Sequence, residues 1–163
     1  MNIVFIEYKE EYANEALTIW NEIVEQGDAF PQDTAMDLKE SIAFFNSQSK
    51  TVLALDKDEN KILGLYILHP NNVGRCGHIC NASYAVTNKA RGLGIGRKLV
   101  EDCIIRAKAL GFRILQFNAV VANNIPALNL YKSLGFKQLG IIPKGFKNKN
   151  GDYDDIIPHY IEL

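Results

Sequence analysis

A glycine-rich stretch with flanking positive charges is the part of the sequence best suited to bind a ligand. It spans residues 91–98, reads RGLGIGRK, and lies between an apolar segment (82–86) and an amphipathic one (99–110). Glycine permits a positive φ and a close approach of the backbone to a ligand. The first amides of a helix lack partners and attract anions. Because Arg91, Arg97 and Lys98 add positive charge, the stretch predicts a phosphate or pyrophosphate site.

The glycine spacing argues against the two common nucleotide-binding loops. A P-loop places Lys and then Ser or Thr after its last glycine, whereas Arg97, Lys98 and Leu99 follow Gly96. A dinucleotide-binding loop has the pattern G-x-G-x-x-G, usually in the first βαβ unit. Here the glycines follow G-x-G-x-G in the middle of the chain. The alternative, a strand-to-helix turn without a ligand, leaves the three cations unexplained.

A second motif downstream points to a family. Residues 123–136 read NNIPALNLYKSLGF and resemble the N-x-x-A-x-x-[LF]-Y-x-x-x-G-F segment of the GCN5-related N-acetyltransferase (GNAT) family. The stretch Arg-Gly-x-Gly-x-Gly before a helix resembles that family's acetyl-CoA pyrophosphate loop. The two motifs stand in the family's order. The resemblance extends over most of the chain and is weakest near the N-terminus.

The resemblance implies an acetyl-CoA-dependent N-acetyltransferase that uses no metal. It assigns acetyl-CoA, as co-substrate, to the glycine-rich loop, to the backbone of a strand that parts from its neighbour, and to the second motif. These predicted residues are Arg91, Gly92, Leu93, Gly94, Ile95, Gly96 and Arg97 in the loop, Tyr84, Ala85 and Val86 in the strand, and Asn123, Asn124 and Tyr131 in the motif. A free strand amide can also stabilise an oxyanion, although residues 84–86 would form a core strand in any case.

Tyr131 and Asn124 are the predicted catalytic residues. The resemblance places the Tyr131 hydroxyl near the cofactor sulfur and gives Asn124 to the cofactor or thioester. A phenol with a reference pKa of about 10 can protonate a thiolate of similar basicity. The alternative for Tyr131 is packing, because it stands at helical spacing from Leu128 and Leu134.

The general base is open at this stage. Many relatives carry a glutamate on the strand before the loop, but residues 78–86 contain no carboxylate. Histidine as a residue type titrates near neutrality, which makes His78 a candidate, although it stands at the far end of the strand. A water relay held by polar side chains is the alternative.

Two asparagines within predicted strands, Asn81 and Asn118, are candidates for acceptor binding. Asparagine is a poor strand former, and its amide can hold a carboxylate or an amine without adding charge. Hydrogen bonds to local backbone are the alternative. The surrounding residues resemble the family branch that includes a fungal enzyme acetylating azetidine-2-carboxylate and other proline-like imino acids. That resemblance gives both asparagines to a small-molecule amine, either an amino or an imino acid. Phe30 is predicted to cover the acceptor pocket, with packing as the alternative.

Two other functions share these features. A non-catalytic acetyl-CoA sensor would bind the cofactor without turnover, and a protein or peptide N-acetyltransferase would need an open groove. The sequence does not distinguish these two functions from acetyl transfer to a small molecule.

Composition favours one cytoplasmic enzyme domain over residues 1–163. The 163-residue chain is 47% hydrophobic with a net charge of −1, which argues against broad nucleic-acid binding, and no apolar run has membrane-spanning length. Residues 1–8 lack a signal-peptide layout. The three cysteines match no zinc spacing and indicate reduced thiols. The resemblance allows a homodimer, with the C-terminal strands as a contact.

The elements that must position these residues alternate between strand and helix patterns. Strands are predicted over 3–8, 51–55, 62–68, 78–86 and 113–120, and helices over 13–26, 99–110 and 126–134. Thr34, with Asp37 three residues on, predicts the cap of another helix that buries Leu38, Ile42 and Phe45. Segments 137–142 and 153–161 are predicted to pair. The fold class is α/β (α+β): a mixed, mostly antiparallel twisted sheet with helices on both faces.

Overall fold

A mixed sheet lies at the centre of the computed structural model, which describes residues 1–163. The strands are β1 (Ile3–Glu7), β2 (Lys50–Asp56), β3 (Lys61–Pro70), β4 (Ile79–Val86), β5 (Ile114–Phe117), β6 (Lys137–Gln138), β7 (Ile142–Lys147), β8 (Tyr153–Ile156) and β9 (His159–Glu162). Seven of them form one sheet in the order β1-β2-β3-β4-β5-β9-β6, and β7 and β8 form a separate hairpin. Only the β4–β5 pair is parallel.

Helices cover both faces of this sheet. They are α1 (Ala13–Gln26), α2 (Leu38–Asn46), α3 (Ile95–Ala109) and α4 (Ile125–Ser133). Because side chains alternate along a strand, β3 sends Leu65 to a core shared with Trp20 of α1, and Tyr66 to a core shared with Leu99 of α3. The predicted fold class is confirmed. None of the four helices combines the length and the apolar composition that a membrane span requires.

The start of α2 differs from the sequence prediction. Asp37, not Thr34, caps the helix: its Oδ1 accepts from Glu40 N at 2.8 Å, and Glu40 Oε2 accepts from Asp37 N at 2.9 Å. This reciprocal pair satisfies two helix-end amides at once. Beginning later, the helix buries Phe45 but leaves Leu38 40% exposed, so the predicted burial of Leu38 was wrong.

Strand boundaries in the C-terminal half were also predicted too long. β5 ends at Phe117, which pairs with His159, and Asn118 therefore follows the strand instead of lying in it. Pro158, just before His159, has no amide hydrogen to continue the ladder. Pro158 also divides the predicted strand 153–161, and Gly140, with φ 116, follows the end of β6. Two short pairings, β6 with β9 and β7 with β8, replace the single predicted unit.

Candidate active site

β4 and β5 separate after a short parallel contact. Only two residue pairs join them, Ile79 with Ile114 and Cys80 with Leu115. At the last pair the Cys80 thiol donates to the Ile114 carbonyl at 3.2 Å. Beyond Cys80, one edge of β4 has no strand partner, and a fork opens between the two strands. This is the separation that the family resemblance implies.

Backbone direction along β4 identifies the groups that face the fork. The Ile79 carbonyl accepts a hydrogen bond at 2.8 Å from the N–H of Asn71, the residue after β3. The Thr87 N–H donates one at 3.0 Å to the carbonyl of Leu63, near the start of β3. Odd-numbered residues thus turn their backbone groups to β3, since successive residues point to opposite edges. Tyr84 and Val86 therefore turn N–H and C=O into the fork, whereas Ala85 turns its backbone groups to β3.

The glycine-rich loop forms a cluster of free amides at the start of α3. Gly92 and Gly94 have φ of 77° and 76°, the left-handed region that favours glycine. Lys98 N is the first helical amide with a backbone acceptor, Gly94 O at 3.3 Å, and the amides of Gly92 and residues 94–97 have none. A Cβ placed on Gly92 or Gly94 would meet no atom within 4 Å. The space beside these two glycines is open, and free amides at the start of a helix suit a bound phosphate.

The two loop arginines lie on the exposed surface near this cluster. The Arg91 guanidinium donates to the side-chain oxygen of Gln26, at the end of α1. The Arg97 guanidinium forms an ion pair with Glu101 at 3.3 Å. Both are exposed and therefore able to turn toward an anion. Sequence reasoning missed Gln26, because no local pattern connects it to a loop that lies far along the chain.

The remaining predicted loop residues have other surroundings. Ile95 is 1% exposed and packs in the core. Gly96 lies inside α3 without a positive φ, and a Cβ there would be in ordinary contact, 3.9 Å, with Leu130. Leu93 is half exposed and lines a separate cavity beside the β2–β3 turn. The left-handed backbone conformation thus explains why glycine is present at positions 92 and 94, but it does not explain the glycine at position 96.

A groove of about 840 Å³ runs from the loop to the fork. Six of the predicted cofactor residues line it: Arg91, Gly92, Tyr84, Val86, Asn123 and Asn124. A second cavity, of about 380 Å³, lies in the fork itself. The two share Ala29, Tyr84, Val121 and Asn124, so they adjoin. None of the residues that line the fork cavity is charged.

Tyr131 lies in the wall of the fork cavity, within an aromatic cluster. Its ring centroid is 4.6 Å from that of Phe117, 5.4 Å from Phe136 and 5.6 Å from His159. Burial raises the pKa of Tyr131 above its ordinary value, so the phenol is protonated at neutral pH. Its hydroxyl forms no hydrogen bond within the protein, and Tyr131 lines the fork cavity.

The two asparagines before α4 each have a local partner. Asn124 Oδ1 accepts from Ala127 N at 3.3 Å and caps the helix. Asn123 Nδ2 donates to Asp154 Oδ1 at 3.0 Å. The Asn124 amide nitrogen is left without a protein partner, and Asn124 lines both the groove and the cavity.

Asn81 and Asn118 lie on opposite arms of the fork and share a third asparagine. Asn71 Oδ1 accepts from Asn118 Nδ2 at 2.7 Å and from Asn81 Nδ2 at 3.3 Å. Both asparagines line the fork cavity, and their binding of the acceptor stays a prediction. Their hydrogen bonds go to a side chain, not to the local backbone. Sequence reasoning missed Asn71, which reads only as part of a polar loop after Pro70.

Phe30 and His78 complete the predicted set. Phe30 is 6% exposed, lies 4.4 Å from the Trp20 ring and also lines the fork cavity, so it packs and forms the wall at once. His78 is exposed and stands outside the cavity lining. No histidine or carboxylate lines the fork cavity.

Comparison with known proteins gives a consistent answer. Residues 12–136 match the family model described as the Acetyltransferase (GNAT) family. The chain is 31% identical to N-acetyltransferase aca1 of Schizosaccharomyces pombe, covering 95% of this chain and 82% of that protein. It is 27% identical to an L-methionine sulfoximine/L-methionine sulfone acetyltransferase of Pseudomonas aeruginosa, over 78% of this chain and 76% of the relative.

Solved structures share the whole architecture. A GCN5-related N-acetyltransferase from Kribbella flavida superposes with a TM-score of 0.90 at 31% identity, covering 99% of this chain and 98% of that one. Two other structures of the same fold, each with a TM-score of 0.91, are described as holding acetyl-CoA. With the matched family model and the relatives at this identity and coverage, the chain belongs to the GNAT family and is an N-acetyltransferase.

Proposed function

We propose that this single-domain enzyme transfers the acetyl group of acetyl-CoA to the amine of a small amino or imino acid. The observation that carries the proposal is the fork cavity. Its volume of about 380 Å³ suits a small molecule. Two amides, Asn81 and Asn118, lie on its two arms, Tyr131 lies in its wall, and it adjoins the groove that leads to the free amides of the loop.

The residues present fit acetyl-CoA. The free amides of Gly92 and residues 94–97 would hold its pyrophosphate, with Arg91 and Arg97 adding positive charge. The unpaired edge of β4, at Tyr84 and Val86, offers backbone donors and acceptors to an extended amide-containing arm, as an added strand would use them. Structures of the same fold with acetyl-CoA support this assignment.

Acetyl-CoA supplies a thioester whose carbonyl carbon accepts the amine nitrogen. The new C–N bond forms first and the C–S bond then breaks; the amine loses one proton, and the departing thiolate gains one. Negative charge develops first on the carbonyl oxygen and then on sulfur. The protein must therefore place donors at two positions and let one proton leave.

We assign the first donor to a fork-facing backbone N–H of β4 and the second to Tyr131. A backbone N–H fixed by the sheet needs no reorganisation to stabilise an oxyanion. The raised pKa of Tyr131 keeps its O–H in place. Because an ordinary thiol has a pKa of about 8.5, below that of this phenol, we assign Tyr131 to stabilising the thiolate as a hydrogen-bond donor, and water supplies the proton that the thiolate gains.

The acceptor amine gives its proton to water in this proposal. The fork cavity has no carboxylate or imidazole in its lining, and His78 lies outside it. Ser83 and the asparagines can hold such a water. An acceptor that arrives as the neutral amine needs no base before it attacks, and it loses its one proton to this water afterwards.

The carboxylate of the acceptor is assigned to Asn81 and Asn118. An amide nitrogen donates two hydrogen bonds. Asn81 is half-buried and Asn118 is exposed, so a bound acceptor without the carboxylate would cover these donors and leave them unpaired, which costs up to about 1–3 kcal/mol per group. The Pseudomonas relative, whose name gives two methionine derivatives as substrates, supports an amino-acid acceptor.

The test is a thiol-release assay with acetyl-CoA and a panel of acceptors. The panel holds amino acids, imino acids, the amide of each, polyamines and short peptides. We expect a free acid to exceed its own amide by at least about tenfold in kcat/KM. Equal rates for acid and amide would contradict carboxylate recognition, a preference for peptides would contradict the small-molecule acceptor, and an absence of turnover with every amine would contradict transfer itself.

A further inference from the structure

We propose that Asn71 is a specificity-determining residue: it turns the amide nitrogens of Asn81 and Asn118 into position to receive the acceptor carboxylate. This inference rests on the proposed function. Asn71 is not in the lining of the fork cavity, so it acts through the two asparagines and is a positioning residue.

The position of Asn71 at the closed end of the fork is fixed by the backbone. It follows β3 directly, and its N–H donates to the Ile79 carbonyl at 2.8 Å. Ile79 belongs to the short contact that joins β4 to β5. The side chain is half-buried and reaches across from the β3–β4 connection to both arms of the fork. Its Oδ1 is the one atom that Asn81 and Asn118 share as a hydrogen-bond acceptor.

A count of donors shows what this arrangement leaves for a ligand. Each amide nitrogen carries two hydrogens, and one from Asn81 and one from Asn118 are used on Asn71 Oδ1. One hydrogen on each nitrogen is unused. Because both nitrogens lie within hydrogen-bond distance of the same oxygen, they are close together, and two neighbouring N–H groups match the two oxygens of a carboxylate.

A fourth side chain, that of Gln116, also fixes the orientation of the Asn118 amide. Gln116 Nε2 donates to Asn118 Oδ1 at 3.1 Å, so the oxygen of Asn118 is held by Gln116 and its nitrogen by Asn71. Asn81 has no second side-chain partner. Its orientation therefore depends on Asn71 alone.

Loss of the Asn71 acceptor should change which acceptor the cavity prefers. Without it, Asn81 can turn its oxygen into the cavity, where it repels a carboxylate and accepts from the NH2 of an amide. The hydrophobic walls, the loop and Tyr131 are untouched by this change. The effect should therefore fall on the KM of the acceptor acid, not on the KM of acetyl-CoA.

The experiment compares Asn71→Ala with Asn72→Ala in the full chain. Asn72 is the exposed neighbour, and its side chain bonds only to Val73 N at 2.8 Å. The readout is the ratio of kcat/KM for a free amino or imino acid to that for its amide. We expect this ratio to fall about tenfold or more in Asn71→Ala, through the KM of the acid, and to stay at the wild-type value in Asn72→Ala.

A second variant covers the case in which Asn71→Ala does not fold. Asn71→Asp retains an oxygen that accepts from both asparagines, but its negative charge lies beside the proposed carboxylate. We expect a higher KM for the acid and an unchanged KM for its amide. Equal changes in both KM values would overturn the inference, as would a wild-type acid preference that persists in folded Asn71→Ala. Absence of any acid preference in the wild-type enzyme would instead refute the proposed carboxylate site, and this inference with it.

Discussion

Replacement of Gly94 by alanine tests the anion-binding loop. Gly94 caps α3 with φ 76, and Gly111, with φ 90, follows the same helix at its other end. A Cβ on either glycine would meet no atom within 4 Å, so neither substitution causes a steric clash. Each places alanine in the left-handed region, which costs about 1–2 kcal/mol. Gly94→Ala and Gly111→Ala should therefore lose similar amounts of stability.

Their effects on acetyl-CoA binding should differ. Gly94 itself carries one of the free amides of residues 94–97, and relief of the backbone strain at this residue would turn those amides away from the phosphates. We expect the affinity for acetyl-CoA, measured by titration calorimetry, to fall about tenfold or more, which is about 1.4 kcal/mol or more. Gly111 lies at the opposite end of α3 from these amides, so Gly111→Ala should bind as the wild type does.

Urea denaturation of both variants provides the stability values that make the comparison valid. Wild-type affinity in a folded Gly94→Ala protein would show that the loop does not hold the phosphates through its backbone. An equal loss of affinity in Gly111→Ala would show that general destabilisation, not the local amides, weakens binding.

Three further predictions address the Tyr131 hydroxyl, a buried histidine and a helix cap. Tyr131→Phe removes one hydroxyl and little packing, so kcat should fall about 10²- to 10⁴-fold with nearly unchanged acetyl-CoA affinity; steady-state kinetics with near-wild-type kcat would return Tyr131 to a packing role. His159 is 1% exposed, and burial lowers its pKa, so the folded state favours the neutral ring. The free energy of unfolding should therefore have its full value above the pKa of about 6.5 that histidine has in the unfolded chain. It should decrease as the pH falls below that value. Urea titrations across this range should give a flatter pH dependence for His159→Gln, and an unchanged slope would contradict the assignment. Asp37→Ala should destabilise the protein by about 1 kcal/mol, whereas Thr34→Ala should leave the urea midpoint in place; the reverse result would restore Thr34 as the cap.

The features predicted well from sequence are those set by short-range chemistry. Gly92 and Gly94 have the left-handed φ that the motif indicated, and Gly27 ends α1 with φ 67. Helices and strands followed the spacing of apolar residues, because each element must place one face in the core. The mixed sheet with helices on both faces then follows from their order.

Features that depend on pairing between distant strands were predicted less well. The ends of β5, β6 and β9 are set by where a partner strand stops, and no local pattern marks that point. Asn118 looked like a strand residue because its neighbours are apolar, but the ladder ends one residue earlier, at Phe117. The shift matters for the site: Asn118 lies just past the strand end, and from there its side chain reaches Asn71.

The polar network in the fork shows why the site itself was only partly visible. Asn81 and Asn118 attracted notice because asparagine is rare in strands, which is a local signal. Asn71 stands in a connection where asparagine is ordinary, and it acquires a special role only when β3, β4 and β5 are brought side by side. A residue whose importance comes from three strands meeting cannot be found from any one of them. The same holds for Gln26, which meets Arg91 across the molecule. Sequence motifs therefore identify the side chains that contact the ligand more readily than the side chains that orient those contacts. Substrate preference depends on both.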